Sequence, residues 1–369
     1  MKKYFIAVTS FILLIAASCS NNGASILYEI EQERPITDRN LSNSISIGAL
    51  VSTESAYFAA AGEIYTKQHD ELYWRSAVQP GGTDVYTSSR IGYIDSHLIS
   101  LCAEFYDGDL AVFVSGDNGS SWGSPVTFSG ITGTIIDLLP IHDSYADRER
   151  VFLVVKYSDP DNAGLFLHSL YEVTAITDTQ TVETEIVNSV SGSRNKIIDI
   201  TYNSDGSIWA ITAAKALSSA TVGDGLPSGE YYTGIYYSNF LSSLYIATYN
   251  ASDEVSTVYV FDGTNWVVDT EDLGKRTYGF GDITVYDSSD TAISALTLGT
   301  SSGYYEKTAL ASEFTAPDVT ADSNYENYDF SGATVFRLIS FNIAGRYYSF
   351  GLTSRAGLWI NNALAWDIE

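Results

Sequence analysis

Apolar and polar residues alternate along most of the chain in short runs, and the runs are closed by Gly, Asn, Asp or Ser. Beyond the first 18 residues no window carries a clear 3.6-residue apolar period, so the pattern predicts strands and an all-β protein. The runs come in pairs. The first member of a pair is rich in aromatic and small residues, and the second carries a string such as Gly-Leu-Trp or Gly-Ile-Tyr before a polar turn. The pairs are residues 57–66 with 71–76, 98–105 with 110–115, 151–157 with 164–169, 208–213 with 234–238, 244–249 with 257–261, 292–298 with 303–307, and 347–352 with 357–361.

Seven starts stepping by 36 to 57 residues fit the length of a four-stranded propeller blade. A further apolar segment precedes most pairs, at 44–51, 91–94, 134–139, 196–202, 281–286 and 334–341, and suits an innermost strand. The expectation is a seven-bladed β-propeller over residues 44–369. A single blade cannot bury both faces of its sheet, whereas neighbours in a ring can cover them. A pair of β-sandwiches, the other architecture considered, would not explain seven similar units. Polar stretches at 214–230 and 311–331 read as loop insertions.

The amino end changes the address rather than the fold. Lys2 and Lys3 precede an apolar run over 4–15, too short to span a bilayer, and the small residues Ala16-Ala17-Ser18 lead to Cys19. This arrangement resembles a bacterial lipobox, which implies cleavage after residue 18 and a lipid, palmitate included, on Cys19. Ala16 stands where the usual Leu would be, and Ala16 with Ser18 also fits ordinary signal cleavage at the same bond. Residues 19–43 then read as a lipid-anchored tether with a candidate ring-closing strand at 25–31, ended by Pro35. If Cys19 is acylated, Cys102 has no partner and reads as a buried small hydrophobe.

The formal charge of −26 argues against nucleic acid and against adhesion to anionic headgroups, leaving the N-terminal lipid as the membrane contact. The 27 Tyr and 6 Trp suit half-buried strand faces, and some could line a glycan or peptide site.

One motif stands out, Ser115-Gly116-Asp117-Asn118-Gly119-Ser120-Ser121-Trp122. It resembles the Asp-box (BNR repeat) of sialidase-like propellers, with Ser115, Asp117, Gly119 and Trp122 on its four signature positions. That resemblance implies a structural turn between the two outer strands of a blade. Asp262-Gly263-Thr264-Asn265-Trp266 and the stretch 361–366, ending at Trp366, read as degenerate boxes. Sialidases grip a carboxylate with three arginines and use a Tyr activated by Glu, with an Asp as acid/base. Their Phe/Tyr-Arg-Ile-Pro string is missing here, since Glu33-Arg34-Pro35-Ile36 has the order broken, so no residue is assigned as catalytic. Asp159 and Asp161 offer oxygen ligands on a short loop, but the loop also reads as a plain hairpin turn, and His69, His97, His142 and His168 are singly placed. No phosphate loop or nucleophile elbow occurs, and no cofactor is expected. The function expected first is a protein-binding or scaffolding module at the bacterial cell envelope. The alternatives are a glycan-binding or glycan-hydrolysing propeller and a surface antigen or adhesin.

Overall fold

The computed structural model describes residues 41, 45–82, 85–105, 107–143, 148–161, 164–177, 180–188, 195–219, 222–287, 289–317, 332–362 and 365–369. The leader, Cys19 and the candidate strand at 25–31 lie outside them. So do residues 318–331 of the second loop insertion. All the strands fall in one compact unit, Leu41–Glu369, and no α-helix occurs among the described residues.

The strands form seven sheets. The first holds β1 (Ala49–Ser52), β2 (Ala56–Ala60), β3 (Ile64–Gln68) and β4 (Arg75–Ser76), and the second β5 (Tyr86–Ile94), β6 (His97–Glu104) and β7 (Leu110–Ser115). The third holds β8 (Phe128–Ser129), β9 (Thr134–Asp143), β10 (Arg148–Ser158), β11 (Phe166–Ala175) and β12 (Gln180–Asn188), with β8 parallel to β12 at its outer edge. The fourth is β13 (Ile197–Tyr202), β14 (Ile208–Thr212) and β15 (Ala216–Ser218). The fifth is β16 (Tyr231–Ser238), β17 (Ser243–Asn250), β18 (Val255–Phe261) and β19 (Trp266–Leu273). The sixth is β20 (Thr277–Tyr286), β21 (Ala292–Thr300) and β22 (Tyr304–Lys307). The seventh is β23 (Thr334–Ile343), β24 (Arg346–Ser354), β25 (Leu358–Asn362) and β26 (Ala365–Ile368).

Second strands explain why the sequence looks the way it does. β2 and β14 are buried at every residue, and β6 and β17 at five consecutive ones, because sheets cover both of their faces. A strand covered on both sides reads as a continuous apolar or small-residue run. Buried hydroxyls on second strands find backbone acceptors: Ser100 on β6 donates to the Arg90 carbonyl at 2.9 Å and Thr297 on β21 to the Gly281 carbonyl at 2.7 Å. Apolar clusters fill the seams between successive sheets. One further cluster joins Leu50, Tyr57 and Trp74 of the first sheet region to Phe350, Leu352 and Leu358 of the seventh sheet. The Ile47 N–H also donates to the Thr353 carbonyl at 3.0 Å.

Two of the predicted pairs are corrected. Residues 57–66 are not one strand, because the chain reverses at Gly62 (φ +84°) and folds as the β2–β3 hairpin. Residues 208–213 do not pair with 234–238. Thr212 Oγ1 accepts the Ala214 and Lys215 N–H groups, turning β14 straight back into β15 within the predicted insertion at 214–230. β16, which contains 234–238, is the first strand of the fifth sheet, the one innermost-strand segment that the periodicity did not show.

First strands of successive sheets approach closely. A Cβ added to Gly281 would stand 1.9 Å from the Leu338 carbonyl oxygen, a rigid backbone atom on β23. Gly281→Ala is therefore expected to force β20 and β23 apart and to destabilise the protein by about 3 kcal/mol or more. Urea unfolding measures this, and a loss below about 0.5 kcal/mol would mean that the two strands separate freely.

Candidate functional site

Six first strands share a device that the sequence reading missed. In β5, β9, β13, β16, β20 and β23 the pairing with the second strand slips at corresponding places. Such β-bulges re-aim the next side chain. In four strands the residue that resumes pairing is charged: Arg90, Asp137, Asp199 and Arg337. Arg337 pairs with Asp199 at 2.7 Å although one lies on the seventh sheet and the other on the fourth, so these side chains meet across the middle of the molecule. The remaining Asp199 oxygen accepts the Ile235 N–H at 3.1 Å. Asp137 binds Arg90 at 3.2 Å and Lys196 at 2.7 Å, and Arg90 also donates to the Gly48 carbonyl. Two carboxylates thus hold three cations. Burial works against the Arg337 charge, but Asp199 beside it outweighs burial and raises its pKa.

Next to this network, Tyr236 Oη accepts the Asp282 N–H at 3.3 Å. Burial, then the Asp282 charge, pushes the Tyr236 hydroxyl well above its ordinary value. Burial also raises Asp282, against bonds from Ser238 and the Asn239 and Phe240 N–H groups. A tyrosine held protonated is a poor nucleophile. Arg90 and Arg337 are each matched by an aspartate of another sheet. Arg75, Arg150 and Arg346 bind Glu71, Glu172 and Asp290 instead. A signal for the network was present, a lone charge inside an otherwise apolar first-strand segment.

The turn at 115–122 follows β7, outside the network. Ser115 Oγ donates to Asp117 Oδ1 at 2.8 Å and accepts the Gly119 N–H at 2.9 Å. Asp117 accepts the Ser121 N–H and hydroxyl, and Ser121, then Ser115, holds its carboxyl below the ordinary range. Gly119 sits at φ +75°, where a Cβ would also crowd Phe58. The Trp122 indole N–H donates to the Val78 carbonyl at 2.8 Å, 44 residues back on the first sheet's side. Asp262 likewise gathers the Thr264 and Asn265 N–H groups, Gly263 takes φ +97°, and Trp266 donates to the Val222 carbonyl at 2.8 Å, again 44 residues back. Trp366 donates to Tyr304 Oη of the sixth sheet at 3.2 Å. Trp74, which the sequence reading passed over, plays the same part, donating to Glu369 at 2.9 Å. An open groove of about 570 Å³ lies beside Trp122, lined by Val78, Tyr86, Phe113 and Pro125 among others.

Asp159 Oδ1 accepts the Asp161 N–H at 2.9 Å, a local turn. Among the described residues no three His, Cys, Asp or Glu side chains converge as a metal site would require. Cys102 is buried, and burial pushes its thiol up. His69 bonds Ser52 at 3.1 Å, and the His97 ring the Asp95 carbonyl at 2.6 Å. His168 is buried with its Nδ1 unpaired, and burial, then Lys156 and Lys196, lowers its pKa. In the window below the ordinary histidine value the unfolded chain therefore binds the extra proton, so stability falls as pH falls. His168→Gln is expected to flatten this part of the stability profile between about pH 7 and 5, measured as urea midpoints against pH. An unchanged slope would refute it.

No family model and no curated protein matches the sequence. Solved structures do match in fold. YCF48 from Cyanidioschyzon merolae aligns with 86% of this chain and 95% of its own at TM-score 0.52 and 9% identity. YCF48 bound to D1 peptide aligns with 87% of this chain and 93% of its own at 0.53 and 9%. A GH74 xyloglucanase from Xanthomonas campestris aligns with 88% of this chain and 53% of its own at 0.53 and 11%. At such identities the likeness shows the fold alone: this chain is an all-β protein with the fold of the β-propellers.

Proposed function

We propose that the chain is an exported, lipid-anchored, seven-bladed β-propeller that binds or scaffolds protein partners at a bacterial cell envelope. Seven sheets with a shared cluster between the first and the seventh support the blade count and a closed ring. The leader and Cys19 support export and acylation, with 1–18 removed, 19–43 as tether and 44–369 as the propeller. The observation that carries the binding role is the central charge balance. Arg90 and Arg337 are spent on Asp137 and Asp199, and Tyr236 is held protonated, so the middle of the molecule is built for rigidity rather than turnover. The turn at 115–122 is read as an Asp-box with a structural role, and the turns at Trp266 and Trp366 as worn copies of it. YCF48, which shares the fold, is bound to a D1 peptide.

The test is capture of the tagged full-length lipoprotein from cross-linked envelopes, run beside a glycan array and a sialidase and glycosidase substrate panel. An envelope protein enriched over a control lipoprotein is the expected result. Turnover or a specific glycan hit without such a partner would replace this reading with the glycan-active one. Protease shaving of intact cells separates a surface-displayed antigen or adhesin from a periplasmic scaffold.

A further inference from the structure

Arg276 differs from the arginines of the central network. It precedes β20, its side chain is exposed, and no ion pair joins it to a carboxylate among the described residues. Its guanidinium instead lies 5.6 Å from the Tyr249 ring centroid and 5.5 Å from that of Tyr278. Tyr278 in turn meets Phe336 edge to face at 5.7 Å. The bulges place these rings. Tyr278 falls in the slip between Thr277 and Phe280, and Phe336 in the slip between Val335 and Arg337, so both are the extruded residues of adjoining first strands. Arg337 beneath them is already held by Asp199, and its Nε would lie 3.0 Å from a Cβ on Gly279.

A guanidinium attracted to aromatic faces keeps N–H groups available to a planar acceptor. Tyr and Arg are also the residues that dominate binding energy at protein interfaces. The net charge of −26 limits what can approach. A strongly acidic protein would be repelled as a whole, whereas one carboxylate on an otherwise neutral, partly apolar segment would meet a local cation between aromatic walls. We propose that Tyr249, Arg276, Tyr278 and Phe336 form a recognition site for a peptide that presents a single carboxylate next to an apolar side chain. This rests on the protein-binding reading and names the chemistry of the partner.

The test uses full-length protein on an array of heptapeptides in which every acidic sequence stands beside its amide twin, Asp against Asn and Glu against Gln. Acidic members with a neighbouring apolar residue should bind at least tenfold better than their twins. Arg276→Gln should remove that preference and Arg276→Lys should restore part of it, the charge being kept and the planar donor fork lost. Arg276 is exposed, so both variants should melt like the parent. Tyr278→Leu should weaken binding of the acidic and amide forms together. Equal binding of twins, or undiminished binding by Arg276→Gln, overturns the site. Preferential binding of acidic sugars that Arg276→Gln abolishes also overturns it, by assigning the cation to a glycan. Envelope capture separates the two levels: a partner retained by Arg276→Gln refutes this site and leaves the scaffold reading standing, and no partner for the parent protein refutes the scaffold reading itself.

Discussion

Glu369→Ala is expected to lower the unfolding free energy by about 3–5 kcal/mol, the scale seen when one partner of a buried ion pair is removed. Both Glu369 oxygens receive the Lys67 ammonium, at 2.7 and 2.6 Å, and one of them also receives the Trp74 indole N–H at 2.9 Å. The Lys67 and Glu369 side chains are 9% and 7% exposed, so water does not replace the lost carboxylate. The damage should concentrate between the first and seventh sheets, where Trp74 and Phe350 share a cluster. Denaturant unfolding gives the magnitude and hydrogen exchange the place. The double change Lys67→Met with Glu369→Leu should recover most of the loss, because the penalty comes from the orphaned charge rather than from the missing attraction. A single-variant loss below about 1 kcal/mol would show the pair to be solvated.

Asp269→Ala should produce a loss of similar size at a different seam, between the fifth and sixth sheets. Lys307 on β22 reaches Asp269 on β19 at 2.8 Å, with side chains 1% and 8% exposed. The Ser312 carbonyl is the other acceptor for this ammonium, and the Tyr245 and Phe314 rings flank it at about 6 Å. A neutral carbonyl and two rings do not balance a buried cation. Exchange of amides in β19 and β22 should rise while the seam between the first and seventh sheets stays protected. Uniform loss of protection across all sheets would refute this local reading. Lys67 and Lys307 both sit on third strands, and both reach an acid on or just after the last strand of a neighbouring sheet. The same lock is thus used twice.

The strand content was legible because second strands are covered on both faces and advertise themselves as apolar runs. The first strand β16 was missed because its Gly234-Ile235-Tyr236 string reads as the second member of a pair. Likewise, Ala56–Ala60 and Ile64–Gln68 looked continuous because only Gly62 marks the reversal. The turn at 115–122 was legible because its hydrogen bonds are local, running from Ser115 and Asp117 to groups within four residues. The central charges were not, since Arg337 and Asp199 are 138 residues apart and only the bulges aim them at each other. Trp74 was overlooked for a similar reason: its acceptor, Glu369, lies 295 residues away.

That distance has a kinetic consequence. Closing a long loop adds only about 0.6 kcal/mol for each doubling of its length, so the contact between Lys67 and Glu369, 302 residues apart, is thermodynamically cheap once the chain is whole. It is late, however. At roughly 5–20 residues per second, on the order of 15–60 s of synthesis separates the appearance of the two side chains. During that interval Leu50, Tyr57 and Trp74 have no partner sheet, because Phe350, Leu352 and Leu358 do not yet exist. The first sheet is therefore the nascent chain's longest-lived adhesive surface, and the one most in need of a chaperone's cover.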